Sequence, residues 1–301
     1  MNSGNWVIYS TFGYFIIFTL AVFGFAIWRV RRSRVRAPVK FKLLRGPGET
    51  LRRKVASYDE NLVFQLVGAA FAPPLVALSI FLGWVHWFKP TTNAQAYACI
   101  ATSLAVFVVG FVFAFRWALN GFYRQRDQLL GYLGERAVAE ELGPLERQGY
   151  RVFHDVPARA GDRAFNLDHV IVGPTGVFAV ETKTRRKGRA RPGFKDYEVI
   201  FDGQQLVWPW GEDTHGLTQA ESEARWLSEW LHKRTGLAIE VKPILALPGW
   251  MVREQKLGSV RVLNAKNVPA AVIGRNIRVL SSEQIDLISR LLDVECRDVE
   301  N

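Results

Sequence analysis

The sequence predicts an α/β chain in two parts. An α-helical membrane region of about three spans occupies residues 1–120, and a domain of mixed strands and helices occupies 121–301. Three observations lead there. Most of the apolar excess lies in the first part, as long runs without a charge. The surplus positive charge sits beside those runs. From Gly121 onward, apolar residues recur at the helical and strand periods of an ordinary globular domain.

Trp6 to Trp28 is a run of 23 residues without a charge, ~35 Å as a helix and enough to cross a bilayer core. The basic residues follow this run rather than precede it, as in a signal anchor rather than a cleaved signal peptide. Leu62 to Phe88 is a second uncharged run, interrupted by Pro73-Pro74, and Ala94 to Phe115 is a third, closed by Arg116. The loop 29–60 carries eleven Lys/Arg against three acids, whereas the connection 89–93 carries only Lys89. Loops rich in Lys and Arg stay cytoplasmic. The expectation is therefore a multi-pass protein of the bacterial inner (plasma) membrane, with its C-terminal domain in the cytoplasm and the lipid bilayer as one partner. Pro73-Pro74 leaves two forms open for 62–88, a kinked spanning helix or a re-entrant hairpin that would reverse this orientation. Membrane topology accounts for the sequence pI of 9.9 before nucleic acid does. The chain has two cysteines, Cys99 and Cys296, which exclude a disulfide framework and a cysteine metal cluster. Transport needs polar groups inside the spans, and the few present (Gln65, His86, Gln95) lie mostly near span ends.

In the second part, Leu129, Leu130, Leu133, Ala137, Val138 and Leu142 recur at helical spacing over Asp127 to Gly149, with a break at Pro144. Strands are expected at 150–156, 165–172, 177–183 and 197–201. A helix from Leu217 to Thr235 places Ala220, Ala224, Leu227, Trp230 and Leu231 on one side, with Gly236 past its end. Further strands are expected at 240–247 and 260–263. Ser281 and Gln284 form a capping box for a last helix through Leu292. Residues 250–301 otherwise match no assignable pattern.

The stretch from Asp168 to Lys183 bears most on function. A two-residue turn at Pro174-Thr175 makes it a hairpin in which cross-strand partners total 349. Asp168 then opposes Glu181, with Cβ atoms ~5 Å apart if the pairing is regular. Side chains alternate, so Val177, Ala179, Glu181 and Lys183 share a face with Asp168, Val170 and Val172. Opposed carboxylates repel unless a cation lies between them. A divalent cation with hard oxygen ligands satisfies that need, and Lys183 adds a fixed charge on the same face. The alternative is a surface acid–lysine pair on a half-exposed sheet, which contributes little.

Four pieces in order resemble the nuclease-related domain (NERD) family, within the PD-(D/E)xK restriction-endonuclease-like superfamily. They are Gly134-Glu135 on a helix, Leu167-Asp168-His169 opening a strand, Gly176 to Lys183 ending in Glu181-Thr182-Lys183, and Gln219-Ala220 in the next helix. The match covers a core of about 130–250. The resemblance implies a mixed central sheet flanked by helices, and a Mg²⁺ (or Mn²⁺) held by Asp168, Glu181 and the main-chain carbonyl of Thr182. It implies that Lys183 positions water and stabilises the transition state, that Glu135 reaches the site from the helix behind, and that Gln219 steadies it. Two departures stand out. Leu167 replaces the superfamily's Pro, and His215-Gly216 replaces an Asn-Pro that often precedes the Gln, which bears on how the chain enters the last core helix.

Taken singly, Glu135 reads as a solvated charge and Gln219 as a first-turn helix residue. His169 lies on the face opposite Asp168 and reads as a packed histidine rather than a ligand. Trp208-Pro209-Trp210 could stack bases or form a lid. Arg185, Arg186, Lys187, Arg189, Arg191 and Lys195 follow Lys183 with no acid before Asp196. That run suits a phosphate backbone, an anionic lipid surface or plain solvation. The expectation is thus a membrane-anchored, metal-dependent nuclease that hydrolyses phosphodiester bonds, with DNA weighed ahead of RNA. Its alternative is a membrane-tethered nucleic-acid-binding or scaffold protein without turnover.

Overall fold

The structure, a computed structural model, describes residues 24, 42–274 and 277–300. The expected span at 6–28 (Gly24 apart) and residues 29–41 of the basic loop lie outside the described residues. The chain from Leu44 to Asp298 forms one compact unit.

Strand β1 (Lys42–Leu44) leads into two long helices, α1 (Glu49–Phe88) and α2 (Asn93–Leu142). Both contain stretches long and apolar enough to cross a membrane. Helix α1 runs unbroken through Pro73 and Pro74. It also takes in residues 49–60, so this end of the expected basic loop is helical. Thr92 caps α2, its hydroxyl accepting the Gln95 N–H while the Gln95 side chain accepts the Thr92 N–H, each at 3.3 Å. Gln95, noted above as a polar residue at a span end, is therefore a helix cap. The two helices form an antiparallel hairpin. A Cβ on Gly110 would sit 3.5 Å from Pro73, and one on Gly131 would sit 3.0 Å from Leu51. Trp87, Val109 and Phe113 point outward and are largely exposed.

Helix α2 has no break between 116 and 126, where the composition changes. One helix carries both the third apolar run and the expected helix from Asp127. It ends at Leu142, a 3-10 turn spans Gly143–Gln148, and Gly149 at φ +83° redirects the chain.

Strands β2 (Arg151–Ala160), β3 (Arg163–Gly173) and β4 (Gly176–Thr182) form an antiparallel meander. Strands β5 (Glu198–Phe201), β6 (Leu206–Trp208) and β7 (Gly211–Asp213) follow, then helix α3 (His215–Thr235). After it come β8 (Val241–Ala246), β9 (Met251–Glu254) and β10 (Arg261–Leu263). The short helix α4 (Val268–Ile273), helix α5 (Ser282–Glu295) and β11 (Arg297–Glu300) complete the chain. The main sheet has the order β10-β8-β4-β3-β2, with β8 parallel to both β4 and β10. A second sheet, β7-β6-β5-β9, stands beside it. Residues beyond 250 thus contribute one strand to each sheet. The Ser281–Gln284 capping box opens α5.

Alternation along β3 and β4 divides the core. Val170, Val172, Val177 and Ala179 pack with Leu227 and Leu231 of α3 and Ile288 and Leu292 of α5. Ile171, Phe178 and Val180 pack with Val138 and Leu142 of α2 and with α4. The main sheet is therefore covered on both faces, and its chemistry is confined to strand ends.

Candidate functional site

The β3–β4 hairpin has the expected register. Gly173 pairs with Gly176, and the ladder runs to His169 opposite Val180. It stops there, one pair short of Asp168 and Glu181. The same level is skipped between β2 and β3, where His154 pairs with His169 and Val156 with Leu167 but Asp155 and Asp168 form no pair. Three acids therefore lie at one level of three neighbouring strands, where like charges destabilise a sheet.

Each acid finds a different partner. Asp155 adopts φ +49°, a left-handed conformation that Asp tolerates better than most residues. Its carboxylate accepts from Arg45 Nη1 (2.8 Å), Thr50 Oγ1 (2.8 Å), Thr50 N–H (3.0 Å) and Asn166 Nδ2 (3.0 Å). Asp168 accepts the Thr182 backbone N–H at 2.8 Å, capping the end of β4. Glu181 is 2% exposed and pairs with Lys183 Nζ at 2.7 Å.

Helix α3 continues the chain of contacts. Lys183 Nζ donates to Gln219 Oε1 (2.8 Å), and Gln219 Nε2 donates to Glu223 Oε1 (2.8 Å). His215-Gly216 does not disturb the start of α3. Asp213 accepts the His215 N–H at 2.7 Å, and a Cβ on Gly216 would lie 3.3 Å from the Lys183 stem. The glycine thus lets α3 approach the lysine closely. Glu135 enters from α2 and is 7% exposed. Gly134 beside it permits this approach, because a Cβ there would fall 1.7 Å from Thr184 Oγ1.

The site holds more negative charge than its lysine neutralises. Burial first, and then the charges of Asp155 and Glu181, push Glu135 up to about 8. Burial and Glu181 push Glu223 up to about 9. Asp168 is raised well above the usual carboxylate range by burial and by its acidic neighbours. For Lys183, burial pulls the pKa down, but Glu181 and Asp168 outweigh it and the net shift is upward. One buried oxygen (Oε2) of each of Glu135, Glu181 and Glu223 has no hydrogen-bond partner. Carboxylates with a charge surplus and unused buried oxygens suit a hard divalent cation. Among the described residues, no three His, Cys, Asp or Glu side chains are gathered as a ready-made metal cage. A site built from two carboxylates and a main-chain carbonyl needs no third side chain.

Glu223 was not anticipated, although its i,i+4 spacing from Gln219 on one helix face is visible in the sequence. Arg45, Thr50 and Asp155 were also missed, and no local pattern marks them. His169 faces away from Asp168, is fully buried, and its Nδ1 lies 2.8 Å from His154 Nδ1. It is a packed, hydrogen-bonded histidine.

The basic run is less cationic in space than in sequence. Arg185 pairs with Asp213, Arg186 with Asp127 (2.9 Å), Arg191 with Glu212 (4.0 Å) and Lys195 with Glu198 (3.6 Å). Lys187 sits over the Trp250 ring at 5.6 Å. Arg189 is exposed, with no acidic partner among the described ion pairs. Trp208 is buried, stacks on Trp210 at 5.7 Å and meets Trp250 edge-on at 5.1 Å. These tryptophans support the loop from beneath, and the buried ring of Trp208 is not free to stack on a base.

Residues 130–248 match the family model of the nuclease-related domain, NERD. This span contains Glu135, Asp168, Glu181, Lys183, Gln219 and Glu223, but not Arg45 or Thr50. No curated protein and no solved structure matches the chain.

Proposed function

With a nuclease-related domain over residues 130–248 as the premise, we propose that the protein is a membrane-anchored, divalent-metal-dependent nuclease. The observation that carries this reading is the convergence of Asp168, Glu181 and Lys183 at one end of the hairpin, with Glu181 Oε2 buried and unpartnered. The β2–β3–β4 meander, the parallel β4–β8 pair and the flanking helices support a restriction-endonuclease-like core.

Asp168, Glu181 and the Thr182 carbonyl would hold Mg²⁺ or Mn²⁺. The chemistry such a cation supplies there is Lewis acidity toward the phosphodiester and a lowered pKa for water. Lys183 stays protonated, since its pKa is raised, and so serves as a positive charge rather than a base. Two of its three hydrogens are directed at Glu181 and Gln219, and the third is available to a phosphate oxygen or the attacking water. Gln219 and Glu223 fix the ammonium group from α3, which keeps the charge aimed before substrate arrives.

The α1–α2 hairpin anchors this domain in the bilayer, and the basic loop puts the domain on the cytoplasmic side. Glu135 lies twenty residues beyond the end of the apolar run at Phe115, ~30 Å along a helix. The site would thus stand clear of the membrane surface on a helical stalk, with space for a nucleic acid to pass.

The test uses the full chain in detergent with single-stranded DNA, duplex DNA and RNA, in Mg²⁺, Mn²⁺ or EDTA. Cleavage that requires metal and is lost in Asp168→Ala and Lys183→Ala supports the nuclease and identifies its substrate. Binding without cleavage in any metal supports the tethered scaffold instead.

A further inference from the structure

A groove of about 590 Å³ opens beside the candidate site, between the β2–β3 hairpin and α3. Its lining includes Arg163, Phe165, His215, Gln219, Glu223 and Trp226. Gln219 and Glu223 belong to the hydrogen-bond chain that begins at Lys183, so the groove is continuous with the site. None of the assigned roles uses its other walls.

Those walls are built. Phe165 and Trp226 meet edge to face with centroids 5.4 Å apart. Trp226 Nε1 donates to the Arg159 carbonyl at 3.0 Å, which fixes the indole in place. Trp230 stacks on it from the far side at 6.1 Å. Both groove aromatics are partly exposed. Arg163 and His215 are exposed at the rim, and neither has an acidic partner among the described ion pairs. Glu223 is 4% exposed, and its Oε2 has no partner. The groove thus offers an aromatic face, the Arg163 cation and the His215 imidazole at its mouth, and a buried polar group for the edge of whatever enters.

We infer that this groove binds unpaired nucleotides of the strand whose phosphodiester lies at Lys183. A base stacks on the Phe165–Trp226 platform, its polar edge meets Glu223, and Arg163 holds the backbone phosphate. The inference rests on the nuclease reading and narrows its substrate to single-stranded nucleic acid or an unpaired end. A base inside a duplex has both faces stacked and its pairing edge occupied, so it cannot use these walls without leaving the helix. The groove volume falls in the range of small-ligand clefts, ~300–1,000 Å³, which suits a few unstacked groups and not a duplex.

Binding is measured by fluorescence anisotropy with the full chain in detergent and EDTA. The probes are a labelled single-stranded DNA and the blunt duplex of the same sequence. The wild type should bind the single strand more tightly. Trp226→Leu and Phe165→Leu should each weaken single-strand binding about 5- to 150-fold, the effect of removing one base-stacking ring, with little change for the duplex. Phe165 and Trp226 also pack against the core, so Arg163→Gln, at an exposed position on the hairpin, is the variant that leaves the core contacts intact. It should lower the salt slope of single-strand binding by about one. Equal affinity for both probes, or unchanged single-strand binding in Arg163→Gln and Phe165→Leu, overturns the assignment. Metal-dependent cleavage by the wild type, set against Lys183→Ala, reads the nuclease proposal separately. Absent cleavage with the single-strand preference intact would remove the nuclease and keep the groove.

Discussion

Arg45 donates from Nη1 to the Asp155 carboxylate at 2.8 Å, and both side chains are almost wholly buried. This pair joins the turn in front of α1 to the middle of β2, across 110 residues of sequence that include both apolar helices. Thr50 and Asn166 complete the cluster, and Gly48 lies beside the Glu135 carboxyl, where a Cβ on the glycine would sit 3.5 Å from Oε2. The hairpin is therefore fixed to the candidate site at both of its ends.

Removing the arginine should be severe. Breaking a buried ion pair by deleting one partner leaves an uncompensated charge and typically costs ~3–5 kcal/mol. Arg45→Ala should lower the unfolding midpoint in detergent accordingly. Asp155→Asn in the same background should recover part of the loss, because it removes the orphaned charge. If Arg45→Ala melts with the wild type, the cluster contributes nothing to the fold.

A fragment that begins near residue 121 lacks Arg45, Gly48 and Thr50. It should be less stable than a chain beginning at Leu44, and its Glu135 should be less well held. Purifying both and comparing their thermal unfolding tests this. Equal midpoints would mean that the domain is complete without the strap at 45–50.

Metal and pH should act on the same carboxyls. Glu135 and Glu223 bind protons up to about 8 and about 9 when folded, against the ordinary value near 4.5. Between those limits these two carboxyls hold more protons folded than unfolded. Buried His154 and His169, with lowered pKa values, act in the opposite sense below the ordinary imidazole value near 6.5, so stability falls as pH rises from about 7 toward 9. A divalent cation held by Asp168 and Glu181 would lower both pKa values through its charge, and its binding should strengthen over the same window. Unfolding midpoints taken from about pH 7 to 9 in EDTA should slope downward, flatten in Glu223→Gln, and flatten again when Mg²⁺ is added to the wild type. A slope unaffected by either change would mean that these carboxyls do not govern it.

What the sequence made legible was local. The hairpin register followed from one turn, Pro174-Thr175, and the alternation of apolar residues around it, and the ladder keeps that register to His169 and Val180. The Ser281–Gln284 cap needed only four residues. What it concealed was long-range. The run from Arg185 to Lys195 looked like bare cations because its counter-charges, Asp127, Asp213 and Glu212, come from other elements. Asp155 looked like an ordinary strand residue because nothing near it signals Arg45 or Thr50. The second sheet escaped because β6, β7 and β9 are three or four residues long, too short for a period to register. The continuity of α2 escaped because the composition changes from apolar to charged after residue 116, and one helix runs through that change unbroken.

Gly134 offers the sharpest test of how α2 sets the site. A Cβ there would fall 1.7 Å from Thr184 Oγ1 and 2.9 Å from Thr184 Cβ, so Gly134→Ala requires α2 to move away from the end of β4. In helices Ala is intrinsically favoured over Gly by ~1 kcal/mol; here overpacking, which typically costs ~1–3 kcal/mol, should reverse the sign. Because Glu135 is the next residue, the shift should also displace its carboxyl and, on the proposed nuclease function, reduce turnover by more than the stability loss explains. Thr184→Gly removes both contacting atoms and should restore turnover in the double variant, a coupling readable by a double-mutant cycle. Additive effects of the two substitutions would show that the close approach of α2 to Thr184 does not position Glu135.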